Sequence, residues 1–278
     1  MAAVMEASKP MARPERSVGM GAGAVTMMWS SASIGLFLSI WYVAAHYIHD
    51  ATLLPTPFEV ARSMVKLVRD GSLITDVSAS LKRVSIGFFA AAVIAVPLAM
   101  VMAYNRLLCR LVLPVIQLLR PIPPIAWIPI GILWFGIGNE TSYFITAVAA
   151  FAPIFLNAFS GGLATERQHI HAAKTLGASK RAIVRYIMFP SALPMIWTGL
   201  KIGLGQSWMA VVTAELVAAQ SGLGYMIEVN RLNLDTPSVI VGMAAIGVLG
   251  AAMTVILNWC EQYIFPWKQA ERQKGVLP

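Results

Sequence analysis

The sequence predicts an all-α polytopic membrane protein of about six transmembrane helices with both termini inside, because its uncharged runs reach the length of a helix through hydrocarbon, about 20 residues. Composition points the same way: 58% of the 278 residues are hydrophobic, 12% are charged and the mean hydropathy is +0.69. Soluble domains carry about 25% charged residues, so this chain has too little polar surface to close a water-facing shell. The runs are also apolar on every side, which excludes barrel strands, about 9–11 residues of alternating polarity.

The elements follow in order. Residues 1–23 hold Glu6, Lys9, Arg13, Glu15 and Arg16 among small residues and are read as a disordered inner tail. The transmembrane domain runs over 24–262, and a second inner tail over 263–278. Span one, 24–46, is far longer than the apolar core of a signal peptide and is read as a retained anchor. Leu54-Pro55-Thr56-Pro57 breaks the chain, with Thr56 placed to cap a helix whose first position is Pro57. Val60, Met64, Val65 and Val68 then recur at helical spacing, with Glu59, Arg62, Lys66 and Arg69 on the wet face. That is the pattern of a short amphipathic helix in the membrane interface. Span two covers 84–104.

Span three, 111–137, is interrupted by Arg120 and by Pro121, Pro123 and Pro124, which remove backbone donors and clash with preceding carbonyls. Broken backbone at membrane depth survives only where protein or a water-filled cavity covers it. Two readings are open: an elbow near the inner surface with Arg120 reaching headgroups, or an elbow lining a path through the bundle. Span four is 141–161 and span five 193–214. In span five Gly199 and Gly203 are packing positions that let helices approach closely, while Gln206 and Ser207 are polar groups of the kind that face a cavity. Glu215, at the outer end of this span, is either a structural ion-pair partner or a gate. Residues 220–227 turn into a short helix, and Asp235 or Thr236 caps the last span, 239–259, with Pro237 in its first turn. Arg120, Gln206, Ser207 and Glu215 are therefore the candidate pathway or gate residues.

A net charge of +8 raises nucleic acid as a partner, but the placement of the charges argues for membrane orientation. Inner segments hold Lys9, Arg13, Arg16, Arg106, Arg110, Arg167, Lys174, Lys180, Arg181, Arg185, Lys268, Arg272 and Lys274; outer ones hold Arg62, Lys66, Arg69, Lys82, Arg83 and Arg231. The excess inside follows the positive-inside rule. Cys109 and Cys260 both fall at the inner face, where a structural disulfide is not expected. Asn139-Glu140-Thr141 is a sequon by coincidence, in a short turn between helices. His169 and His171 are two apart and share no helix face, and no metal-ligand spacing occurs elsewhere.

The inner loop 162–190 is soluble in character. Residues 164–176 are good helix formers, Gly177 permits a sharp change of direction, and Ser179 is placed to cap a second helix. In that helix Ile183, Tyr186 and Ile187 share a face, and Pro190 and Pro194 stop it and set the entry angle of span five. One reading of a long basic inner loop is that it simply obeys the positive-inside rule and binds anionic lipid. The spacing says more. Ala172-Ala173, then Gly177, then Ile187, Phe189 and Pro190 resemble the EAA loop of permease subunits of ATP-binding-cassette importers, whose pattern is Glu-Ala-Ala, three residues, Gly, nine residues, Ile-x-Leu-Pro. His171 stands where the acid would be and Phe189 where leucine would be. Leu54-Pro55-Thr56-Pro57, Ser80-Leu81-x-Arg83-Val84-x-x-Gly87-Phe88, the run from Arg120 to Trp127, Trp134-Phe135-Gly136-Ile137-Gly138 and Ser221-Gly222-Leu223-Gly224 resemble the nitrate, sulfonate, taurine and bicarbonate branch.

The resemblance implies the type I importer permease fold and a place in the bacterial plasma (inner) membrane. It implies a second permease copy, ABC ATPase subunits docked on His171, Ala172, Ala173, Gly177, Ile187 and Pro190, and a periplasmic or lipid-anchored substrate-binding protein. The cargo it implies is a small solute such as nitrate, a sulfonate, taurine, bicarbonate or a related organic anion. The chain lacks a G-x-x-x-x-G-K-[ST] loop. No catalysis and no cofactor are expected in it, with ATP and Mg bound by the partner ATPase. An ion-gradient-driven secondary transporter or channel, and an anchor subunit without a pore, are the alternatives.

Overall fold

The computed structural model describes residues 21–265, so the two expected tails lie outside the described residues apart from the few that the first and last helices take up. The elements are α1 (Gly21–Ile48), α2 (Pro57–Arg69), α3 (Ser72–Tyr104), α4 (Arg106–Leu119), a 3-10 turn (Pro124–Trp127), α5 (Ile128–Phe135), α6 (Asn139–Leu163), α7 (Arg167–Thr175), α8 (Lys180–Ile183), a π turn (Val184–Met188), α9 (Phe189–Ala218), α10 (Leu223–Leu232) and α11 (Thr236–Ile264). Five helical stretches are long and apolar enough to cross a membrane, and α4 with Pro124–Phe135 makes a sixth, bent by 95°. The expected all-helical bundle is what the chain forms.

The centre is α6, held between α3 and α9. Ala91, Ala95 and Ala99 of α3, Ala150, Ile154 and Ala158 of α6, and Ala192 and Ile196 of α9 share one buried cluster. Lipid gives helices no hydrophobic reason to associate, so close van der Waals packing must hold them. Glycines permit it: a Cβ on Gly87 would lie 2.6 Å from Thr146 Cβ, one on Gly199 2.8 Å from Asn157 Cβ, and one on Gly203 2.7 Å from Ile154 Cγ1. Gly199 and Gly203 are packing positions, as read from the sequence.

The outer helices are tied on by polar groups. Trp41 Nε1 in α1 donates to the Pro55 carbonyl at 3.0 Å, and Trp208 Nε1 in α9 to the Ile246 carbonyl of α11, also at 3.0 Å. Lys201 pairs with Glu261 in the last turns of α11 at 2.5 Å, which places an acid within the last membrane helix, beyond the end read at 259. Thr56 caps α2 as expected, in a full capping box with Glu59. Asp235, not Thr236, caps α11 through the Ser238 amide.

Two expectations are corrected and one is refined. The second membrane helix begins at Ser72, not at 84, so Lys82 and Arg83 belong to a helix and not to an outer loop. Its first turns are polar because Ser80 and Arg83 face other helices. The face of α2 is divided: Val60 and Leu67 pack on the protein while Met64, Val65 and Val68 stay exposed, as an interfacial helix has both protein and lipid to cover. Finally, Pro190 and Pro194 do not stop the chain, since Pro190 lies in the first turn of α9 and Pro194 within it. The π turn before them absorbs the missing donors, its Phe189 amide reaching back to the Val184 carbonyl.

Candidate transport pathway and coupling surface

The 95° elbow after α4 opens a cavity of about 610 Å³ between the elbow, α6 and α9. Its α6 wall runs from Phe144 to Asn157, the middle of a helix that spans Asn139–Leu163. Arg120 and Gln206 both line it. Arg120 is exposed on the cavity wall, beside the broken backbone of the elbow. The structure brings Arg120 and Gln206 together and leaves Ser207 and Glu215 elsewhere. Ser207, one residue on, points the other way into the α6 contact, where it is buried and donates to the Thr146 carbonyl at 3.4 Å.

Glu215 sits in a polar knot that joins the outer ends of α3, α6, α9 and α10. Its carboxylate accepts from Arg83 Nη1 at 2.8 Å, Ser80 Oγ at 2.9 Å and the Gly224 amide at 3.0 Å. Arg83 also donates to Asn139 Oδ1 and to Ser221, which gives the sequon asparagine a structural role. Asp76 accepts from the Gly222 amide at 2.8 Å. The side chains of Arg83 and Glu215 are 3% and 0% exposed. A buried pair is tolerated only when its remaining hydrogen-bonding capacity is used, and here three helices and a loop supply the partners.

Sequence reasoning found Glu215 without its partner; Ser80, Arg83 and Gly87 at three-to-four spacing in one motif were the available signal. Gly222 explains why the loop must come so near. It has φ +104°, and a Cβ there would lie 2.6 Å from Arg83 Nη1 and collide with the Glu215 carboxylate. A Gly222→Ala variant is expected to push the loop off the pair and lower the melting temperature of the purified protein by several degrees. Melting unchanged from wild type would show that the loop is not seated on the pair.

At the inner end, α7 carries His171, Ala172 and Ala173, with His171 and Ala172 exposed. Gly177 ends it at φ +78°, with its own amide on the Lys174 carbonyl and the Ala178 amide on the Ala173 carbonyl, a Schellman closure. Ser179 caps α8 through the Ala182 amide at 3.2 Å. The expected face of Ile183, Tyr186 and Ile187 is split by the π turn. With an i to i+5 repeat, Ile183 and Met188 are buried together, Ile187 is half-buried and Tyr186 is 72% exposed. Leu176, 87% exposed, adds apolar surface beside Gly177. Lys174 Nζ rests 5.8 Å above the Tyr104 ring and ties α7 to the inner end of α3.

Residues 71–269 match the model of the binding-protein-dependent transport system inner membrane component family. The chain belongs to that family. It is 32% identical over 244 residues to the taurine transport system permease protein TauC of Escherichia coli, covering 86% of this chain and 89% of that one. It is 37% identical over 243 residues to a putative ABC transporter permease of Methanocaldococcus jannaschii (84% and 90% covered). Identity to the nitrate import permease NrtB of a Synechocystis species is 28% over 248 residues (86% and 90% covered). In fold it resembles a chain of the inward-facing MetNI methionine ABC transporter, with a TM-score of 0.59 over 69% of this chain and 94% of that one at 22% identity. The chain is thus a non-catalytic, multi-pass inner-membrane permease of an ATP-binding-cassette importer, a component that works with an ATPase and a binding protein.

Proposed function

We propose that this chain forms, with a second copy of itself, the membrane path for a small anion: nitrate, a sulfonate, taurine, bicarbonate or a related organic anion. The ATPase subunits dock on 162–190 and bind the ATP and Mg, while an external binding protein delivers the cargo. The observation that carries the reading is α7, a short helix with an exposed face, closed by Gly177 and joined through α8 and the π turn to α9. That is a lever fixed to a pathway helix. The anion is supported by the names of the relatives and by Arg120 on the cavity wall. The second copy is supported by apolar side chains left exposed on α5 and α9 away from the cavity, among them Leu133 and Met209.

The test is to coexpress the tagged chain with candidate ATPase and binding-protein subunits from the same genome. The ATPase is expected to copurify, and its turnover to rise when loaded binding protein is added. Failure of both would mean that the ATPase and binding protein tested are not the partners of this permease. His171→Gln is expected to leave copurification unchanged, since the histidine replaces the acid of the related loops and offers no fixed negative charge for a salt bridge. Loss of assembly in that variant would mean that the imidazole makes an essential contact.

A further inference from the structure

We infer that the cavity between the elbow, α6 and α9 is itself a binding site, and that its ligand is an organic monoanion with an apolar body, held by its charged head on Arg120. The inference rests on the reading of this chain as an importer's path and adds where the cargo pauses and which cargo fits.

Three observations carry it. First, Arg120 has no partner among the described residues. Glu215 is taken by Arg83 and Lys201 holds Glu261, and no carboxylate lines the cavity. Arg120 is exposed on the cavity wall, and an unpaired cation within a membrane domain is found where it meets a charge or lines a pathway. Its planar fork matches a sulfonate or carboxylate through two parallel hydrogen bonds. Second, besides the indole N–H groups of Trp127 and Trp134, the polar side chains on the wall are the amides of Gln206 on α9 and of Asn157 on α6, the latter already donating one N–H to the Pro153 carbonyl. These are neutral groups that satisfy oxygen atoms without adding charge, so the site balances one negative charge.

Third, the rest of the wall is apolar and aromatic, with Trp127, Trp134, Phe144 and Phe151 prominent. The volume of about 610 Å³ falls within the range of pockets that take organic ligands, about 300–1,000 Å³. An inorganic oxyanion, a few times the roughly 30 Å³ of a water molecule, would leave most of that wall unfilled. It would gain nothing from the rings. An apolar body fills the space and gains from burial, so the cavity favours an arylsulfonate or arylcarboxylate over nitrate or bicarbonate.

The experiment titrates the purified permease–ATPase complex, without nucleotide or binding protein, by calorimetry and tryptophan fluorescence. The probes are benzenesulfonate, benzoate, sodium nitrate and benzyltrimethylammonium. Benzenesulfonate and benzoate are expected to bind saturably, at least about tenfold more tightly than nitrate or the cation, since each tenfold is a difference of about 1.4 kcal/mol. Arg120→Gln is expected to weaken both aryl anions by at least tenfold and Arg120→Lys by less. Trp134→Ala is expected to weaken the aryl anions and leave nitrate unchanged. Nitrate binding as tightly as benzenesulfonate in the wild-type complex would overturn the inference, as would the absence of saturable binding or an unchanged affinity in Arg120→Gln. The importer reading is judged separately, by copurification and by stimulation of the ATPase.

Discussion

Glu215→Ala is expected to destabilise the purified protein by about 3–5 kcal/mol, the usual consequence of leaving one member of a buried ion pair alone. The reason is Arg83. It is fixed inside α3 by Asn139 and Ser221 as well as by Glu215, so it has no route to water when the carboxylate is gone. Ser80 Oγ and the Gly224 amide lose their acceptor at the same time. A thermal-shift measurement in detergent should show a fall on the order of 10 °C, by the scaling of melting temperature with free energy for domains of this size. Glu215→Gln keeps an acceptor and should fall less. The double variant Arg83→Met with Glu215→Leu removes both charges and is expected to recover most of the loss, because apolar replacement of a buried pair is often neutral. If Glu215→Ala melts with the wild type, the knot contributes nothing to stability. If the double variant is as unstable as the single one, the stranded charge is not the cause.

What the sequence disclosed and what it hid divide along one physical line. Thr56, Ser179 and Asp235 act on amides within three residues of themselves, so cap chemistry identifies them locally. The spans, too, are legible from runs of apolar residues. Gly177 was placed correctly because a left-handed helix terminus is a local demand that glycine meets most cheaply. Arg83 and Glu215 are 132 positions apart, and nothing in either neighbourhood names the other. The start of α3 was misplaced for the same reason: Asp76, Ser80 and Arg83 look like a loop until their partners on α6, α9 and α10 are present. The π turn is a third case. Its five-residue repeat pairs Ile183 with Met188, where a helical repeat points to Tyr186 and Ile187. For the candidate site, Arg120 and Gln206 were named as candidates, but only the bend of α4 against α5 puts them on one cavity. Asn157, Trp127 and Trp134 became visible only then.

These pieces lie on one helix. α9 begins at Phe189, directly after the π turn, has Gln206 near its middle on the cavity wall, and carries Glu215 in the outer knot. A packed bar of this kind moves as a unit between discrete arrangements and does not bend continuously, so displacement of α7 by an ATPase reaches the cavity only if the turn between α7 and α8 keeps its shape. That makes Gly177 the position of greatest leverage. Open space surrounds it, with no heavy atom within 4 Å of a built Cβ, so substitutions there act through backbone conformation and not through a clash. A side chain in the left-handed region costs about 1–2 kcal/mol. An aspartate adds a negative charge at the C-terminal end of α7, unfavourable by about 0.3–1 kcal/mol. Gly177→Asp is therefore expected to insert, dimerise and retain the outer knot, yet to lower transport by about tenfold or more. Gly177→Asn, which tolerates the left-handed region as aspartate does but adds no charge, should keep most of the activity, and Gly177→Ala, which lacks that tolerance, reads the backbone cost alone. Uptake in proteoliposomes containing the complete importer, set beside copurification of the ATPase, reads both halves of the expectation. Wild-type transport by Gly177→Asp in an intact complex would refute the lever. Equal loss in the Asn and Asp variants with Ala spared would point instead to crowding against the docked ATPase.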